Sequence, residues 1–136
     1  MNQAIDLCAG CGGASLGLER SGYSVIGVEI DRRIALWHRV NVGPCAQGSI
    51  AYWSAKRAGL TARVVFGGVP CQPFSTQGAR LGFDEKIGSL FGAELETRAH
   101  LYQHLVRIAN EAEAEAVVLE NVCGPLQWDA GRAHDA

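Results

Sequence analysis

The stretch GGVPCQPFSTQG, residues 67–78, sets Cys71 directly after a proline, in a run too rich in turn formers for regular structure. A thiol reacts as thiolate, and backbone N–H groups or positive charge around it favour that form. Two prolines restrict the backbone and glycines flank it, so the loop can hold a thiol rigid and accessible. Three readings stand side by side for Cys71: a core thiol, a redox or metal ligand, and a nucleophile at a strand end. Further along, Glu120 and Asn121 close the apolar run AVVL, a poor place for a carboxylate without a partner or a task. A carboxyl kept protonated there could donate to a ring nitrogen, while a plain solvated strand end is the simpler alternative.

A second group of residues has the chemistry of cofactor binding. DLCAGCGGASLGLE carries glycines at 10, 12 and 13, where a bare backbone can approach a ligand closely. It departs from the dinucleotide fingerprint, because Ser15 stands where G-x-G-x-x-G has its last glycine. Glu29 follows Gly10 by 19 residues, a spacing at which an acid can accept from ribose hydroxyls. Turn and acid together point to an adenosine-containing cofactor without separating a nicotinamide dinucleotide from S-adenosylmethionine. Cys8 and Cys11 form C-x-x-C, a redox pair or half a zinc site, but no second pair completes a metal site and none is expected.

These residues need elements to position them. Ala4 to Ala9 reads as a strand, ASLGLERSG as a short helix, and YSVIGVEID as a second strand ending in two carboxylates. RRIALWHRVN suits a helix with Ile34, Leu36, Trp37 and Val40 mostly on one side. A weak strand is expected near QGSIAY, a short helix at SAKRAGL closed by Gly59, and a buried strand at TARVVF. ETRAHLYQHLVRIANEAEAE repeats apolar residues at 101, 105, 108 and 109, a helical spacing, and AVVLENV is the last strand. The alternation predicts an α/β fold, a doubly wound and mostly parallel sheet. In such sheets ligands bind beyond the carboxyl ends of the strands, where CAGCGG, EID, GGVPCQPFS and ENV would all meet.

With 136 residues the chain has room for one domain, and 48% apolar with 19% charged residues predicts a packed core. No apolar run reaches the roughly 20 residues of a spanning helix, and no export signal is evident, so the expected compartment is the cytoplasm. Five cysteines, an odd number, then argue for reduced thiols. A net charge of −2 offers a polyanion no overall attraction.

Taken together, these stretches resemble the DNA cytosine-5 methyltransferases. DLCAGCGGASLGLE is similar to that family's first cofactor motif, VEID to its second, GGVPCQPFSTQG to its catalytic loop and LENV to the motif bearing its catalytic glutamate. The resemblance runs from about residue 4 to 126. It implies a Rossmann-like S-adenosylmethionine-dependent methyltransferase fold, with Cys71 and Glu120 as catalytic residues. Asp6, Leu7, Gly10, Gly12, Glu29, Ile30, Ile50 and Pro70 would surround S-adenosylmethionine, and Gln72, Ser75 and Asn121 would support the substrate and the loop. Double-stranded DNA is the implied substrate, with the target base flipped out of the helix.

Departures from the family pattern bear on these expectations. Cys8 stands where the family usually has an aromatic, and Ser49, before Ile50, where it has an aspartate, which implies a weaker hold on the cofactor. The connection from Gly82 to Leu95 is longer than the family's. Residues 1–136 read as a partial, C-terminally truncated catalytic domain without a target recognition domain, so a complementing C-terminal chain is an expected partner, with no membrane association. The alternatives are a non-catalytic cofactor- or partner-binding remnant and a nicotinamide-dependent oxidoreductase, the latter leaving P-C-Q and E-N-V unexplained.

Overall fold

The computed structural model describes residues 2–69 and 101–121. The chain divides into two compact units, residues 1–68 with 103–120 and residues 69–102 with 121–136. The first holds five parallel strands: β1 (Gln3–Leu7), β2 (Ser24–Glu29), β3 (Cys45–Gln47), β4 (Val64–Gly67) and β5 (Ala116–Leu119). They are joined through α1 (Gly13–Arg20), α2 (Arg32–Asn41) and α3 (Leu101–Glu111), the last described in the first unit from residue 103 on. Of the second unit, residues 69, 101, 102 and 121 are described.

The sheet order is β3-β2-β1-β4-β5. Chain order therefore reverses on either side of β1, the doubly wound arrangement expected, and the switch point lies between β1 and β4. Parallel strands covered on both faces read as continuous apolar runs. β1 obeys this, with Ala4, Ile5, Asp6 and Leu7 all buried, and Val25, Val28 and Val65 join them in the core. One row crosses the sheet in register: Ala46, Val28, Leu7, Gly67 and Leu119. Gln47, Glu29, Cys8, Gly68 and Glu120 follow that row by one residue, so the polar strand ends leave the sheet at one level.

Three local expectations change. The first strand stops at Leu7 rather than Ala9, because Cys8 turns left-handed, with φ 57°. The third strand lies at Cys45–Gln47, sharing only Gln47 with QGSIAY, whose later residues instead turn around Ser49: its carbonyl accepts from the N–H groups of Tyr52 and Trp53. SAKRAGL forms a single turn and no helix. Leu60 N–H bonds Ala55 O and Gly59 N–H bonds Lys56 O, with Gly59 at φ 66°, which is the helix-ending Schellman pattern closing before a helix can propagate.

Helix α2 matches its expected span but not its expected face. Its buried residues are Ala35 and His38, while Ile34, Leu36, Trp37 and Val40 are 37–76% exposed. In α3 the buried residues are Leu105, Ile108 and Ala109, three of the four periodic positions. Leu105 fits over Gly67, where a Cβ would stand 1.9 Å from Leu105 Cδ1. Among the described residues no helix is long and apolar enough to cross a membrane.

Candidate active site

Residues 8–12 link β1 to α1 in a tight turn with three left-handed residues, Cys8, Gly10 and Gly12 (φ 57°, 53° and 81°). Ala9 N–H bonds Val28 O at 3.0 Å, tying the turn to β2, and Gly12 N–H bonds Ala9 O at 2.9 Å, closing it. Glu29 reaches the turn from β2: its Oε2 accepts from Gly10 N–H at 3.0 Å and its Oε1 from Asp31 N–H at 2.9 Å. Glu29 as a residue is only 8% exposed, and each carboxylate oxygen keeps a further lone pair with which to accept a hydroxyl. The second carboxylate of EID does something else: Asp31 Oδ1 accepts from Arg33 N–H and Ile34 N–H, capping α2.

The two left-handed glycines of the turn, Gly10 and Gly12, differ in what they spare. Among the described residues, its chain neighbours aside, a Cβ on Gly10 would have nothing nearer than Cys8 O at 3.9 Å, so on that side Gly10 borders open space. A Cβ on Gly12 would meet Val42 Cγ2 at 2.8 Å and His38 Cε1 at 3.0 Å. Gly12 therefore makes room for α2, and Gly10 is the glycine with space for a ligand.

Asp6 and Leu7, both expected near the cofactor, lie beneath the turn at 1% and 0% exposure. Asp6 Oδ2 accepts from Ser15 Oγ at 2.6 Å. This bond explains why a serine stands at the last glycine position of the fingerprint: it joins the first turn of α1 to β1. Burial pushes the Asp6 carboxyl above its usual range, outweighing the opposing effects of the Ser15 bond and of nearby His38. Cys8 is pushed further, up to about 12, by burial and then by the negative charge of Glu29 and Asp6. A low-pKa redox thiol needs the opposite surroundings, so Cys8 does not suit a dithiol exchange role. Cys11 is exposed, and among the described residues no three His, Cys, Asp or Glu side chains gather as a metal site requires.

On the β3 side, Ile50 is 4% exposed and Ile30, at the end of β2, is 64% exposed. The turn holding Ser49 and Ile50 is fastened by a residue that the sequence reading passed over. Arg107 Nη2 donates to Ile50 O at 2.7 Å and to Trp53 O at 3.0 Å, while its Nη1 pairs with Glu111 Oε1 at 2.6 Å. The i,i+4 spacing of Arg107 and Glu111 was a visible signal for that pair; the reach to a turn more than 50 residues away was not.

Glu120 N–H bonds Gly67 O at 3.0 Å, extending the β4–β5 ladder by one residue. Its side chain is exposed, with Oε2 3.6 Å from where a Cβ on Gly68 would lie. In register, Glu29 and Glu120 stand three strand spacings apart, roughly 14 Å. In the second unit, Asn121 Nδ2 donates to Val69 O at 3.5 Å. Pro70, Cys71, Gln72 and Ser75 lie outside the described residues.

Comparison with known proteins bears on this edge as a whole. The sequence pattern of the C-5 cytosine-specific DNA methylases matches residues 2–136. Among relatives, Type II methyltransferase M.Eco47II of Escherichia coli is 35% identical over 131 residues, covering 94% of this chain and 29% of the relative. M.NgoMIV of Neisseria gonorrhoeae is 32% identical, covering 90% of this chain and 36% of the relative. M.AquIA of Picosynechococcus sp. is 33% identical, covering 97% and 53%. The chain thus spans about a third to a half of the length of these relatives. Among solved structures, the S. pombe Dnmt2 methyltransferase shares the fold with a TM-score of 0.64 at 14% identity, over 99% of this chain and 38% of that one. Streptomyces venezuelae DesVI shares it at 0.55 and 17% identity, over 89% and 43%.

Proposed function

The chain belongs to the C-5 cytosine-specific DNA methylase family, and from that premise we propose that it provides the cofactor turn and the catalytic residues of a DNA cytosine-5 methyltransferase. The observation that most supports this is the Gly10–Glu29 bond. It sets an acid with spare lone pairs beneath a glycine that borders open space, at the same level of the sheet as Glu120. That combination fits the adenosine and methionine parts of S-adenosylmethionine. Glu29 would accept from ribose hydroxyls, Gly10 would line the cofactor, and Ile30, Ile50 and Pro70 would flank it. Asp6, Leu7 and Gly12, packed beneath, would fix the shape of the turn.

S-adenosylmethionine, when bound, supplies the methyl group. Cys71 as thiolate forms a bond to C6 of a flipped-out cytosine, pushing an electron pair toward C5. Glu120 hydrogen-bonds or protonates N3, stabilising the ring as that charge develops. C5 would take the methyl group as that group's bond to the sulfonium sulfur breaks, leaving S-adenosylhomocysteine; water would accept the C5 proton, and the electron pair left behind would restore the C5–C6 double bond and expel Cys71 as thiolate. Gln72 and Ser75 would support the loop and Asn121 its base. Double-stranded DNA is the substrate in this reading.

The partner proposed is a second polypeptide carrying the recognition function. All four residues of β5 are exposed, Val117, Val118 and Leu119 at 45–52%, and β5 is the edge strand of the described sheet. An apolar edge of this kind accepts a further strand. The test is trapping on mixed-sequence duplex DNA containing 5-fluorocytosine, which has no C5 proton to lose. A covalent adduct is expected with the wild-type chain plus a C-terminal half supplied from a relative, and none with Cys71→Ser. Absence of any adduct under those conditions rules out the catalytic reading.

A further inference from the structure

We propose that His38 is a positioning residue for the cofactor turn, acting through a hydrogen bond from its Nδ1 to the carbonyl of Gly10. The inference rests on the reading of residues 8–12 as the S-adenosylmethionine turn. His38 is 1% exposed, in the middle of α2, and its Nδ1 lies 3.1 Å from Gly10 O. A carbonyl oxygen can only accept, so Nδ1 is the nitrogen that carries hydrogen.

The Gly10 residue is thereby held at both ends. Its N–H is taken by Glu29 from β2 and its C=O by His38 from α2. Among the described residues no side chain lies within 4 Å of where a Gly10 Cβ would stand, so none packs there to fix its left-handed φ of 53°. These two bonds select one orientation of a peptide that would otherwise have several.

Two further glycines make the ring's seat. A Cβ on Gly12 would lie 3.0 Å from His38 Cε1, and a Cβ on Gly27 would lie 3.1 Å from both Cε1 and Nε2. The imidazole is thus wedged between the turn and β2, on ground that only glycine leaves free. An apolar side chain of the same size could fill this space but could not hold Gly10 O. That difference separates positioning from packing.

The experiment compares the full wild-type chain with His38→Asn and His38→Leu. The Asn amide nitrogen can stand near the place of Nδ1 and donate; Leu preserves apolar volume and donates nothing. Hydrogen exchange at the Gly10 and Gly12 amides is read without any cofactor. His38→Asn is expected to keep wild-type protection, and His38→Leu to lose about fivefold to tenfold, the equilibrium equivalent of one neutral hydrogen bond. Titration with S-adenosylmethionine should show the same order of affinities. If Leu protects the turn as well as or better than Asn, the ring is only packing and the inference falls. If the exchange order holds but wild-type chain complemented by a C-terminal half binds no S-adenosylmethionine, His38 still positions the turn and the cofactor reading is what fails. Long-range proton–nitrogen NMR correlations of wild-type His38 need no variant: hydrogen on Nδ1 is expected, and a ring bearing it on Nε2 alone overturns the proposal.

Discussion

At the scale of single residues, the glycine turn after β1 and its surroundings gather acids that the fold treats differently. Asp6 is raised by burial, so its ionised form is the costly one in the folded state. The stability it contributes is fully present below the ordinary carboxylate range and is lost as pH rises through its raised folded value. Asp6→Asn keeps an acceptor for Ser15 and removes that titration. Urea midpoints measured from pH 4 to 8 should fall less with rising pH in the variant, and at neutral pH the variant should be at least as stable as wild type. A parallel pH dependence in both proteins would mean that Asp6 does not carry this cost. The two cysteines of C-x-x-C should part company too. With its thiol pushed up to about 12, Cys8 stays protonated, while Cys11 is exposed. Iodoacetamide at pH 7.5 is therefore expected to label Cys11 and spare Cys8, read by peptide mass spectrometry; equal labelling would contradict the assigned environment.

At the scale of elements, close approach decides more than apolar periodicity does. Gly67 admits Leu105 so tightly that Gly67→Ala should cost about 1–3 kcal/mol by overpacking. Adding Leu105→Ala should recover part of that loss, and a double-mutant cycle by urea unfolding measures the coupling. Additive losses would show that the two positions do not meet. The same principle explains what the sequence revealed and what it hid. The order of strands and helices, the glycine turn and the span of α2 were legible, because β-branched runs, glycine spacing and polar stops are local signals; the ends of the first and third strands were not. The inward face of α2 was not. Ile34, Leu36, Trp37 and Val40 look like a core stripe, yet Ala35 and His38 turn inward because Gly12 and Gly27 leave a seat that suits the imidazole. Arg107 was hidden for a related reason: its partners are carbonyls, and every residue has one. The roles of Cys71, Gln72 and Ser75 rest on the motif they belong to and on the trapping experiment.

At the scale of the whole molecule, the described sheet is well buried at β1 and open at β5. If a second polypeptide adds to that edge, the chain alone should self-associate through it. Val118→Lys, a charge on the exposed edge, is expected to shift sedimentation toward the monomer and to weaken capture of a supplied C-terminal half. Unchanged self-association in the variant would place the contact elsewhere. The central position of β1 has a different consequence, one of timing. Its partner on one side, β2, begins already at Ser24, but its partner on the other, β4, begins only at Val64. During synthesis, β1, β2 and β3 can assemble into half a sheet while the flank of β1 that will receive β4 is still bare. Parallel pairings over such separations form late and slowly. For that interval the strand that ends in the glycine turn is itself an unguarded edge, and the nascent chain is most prone to mispairing there.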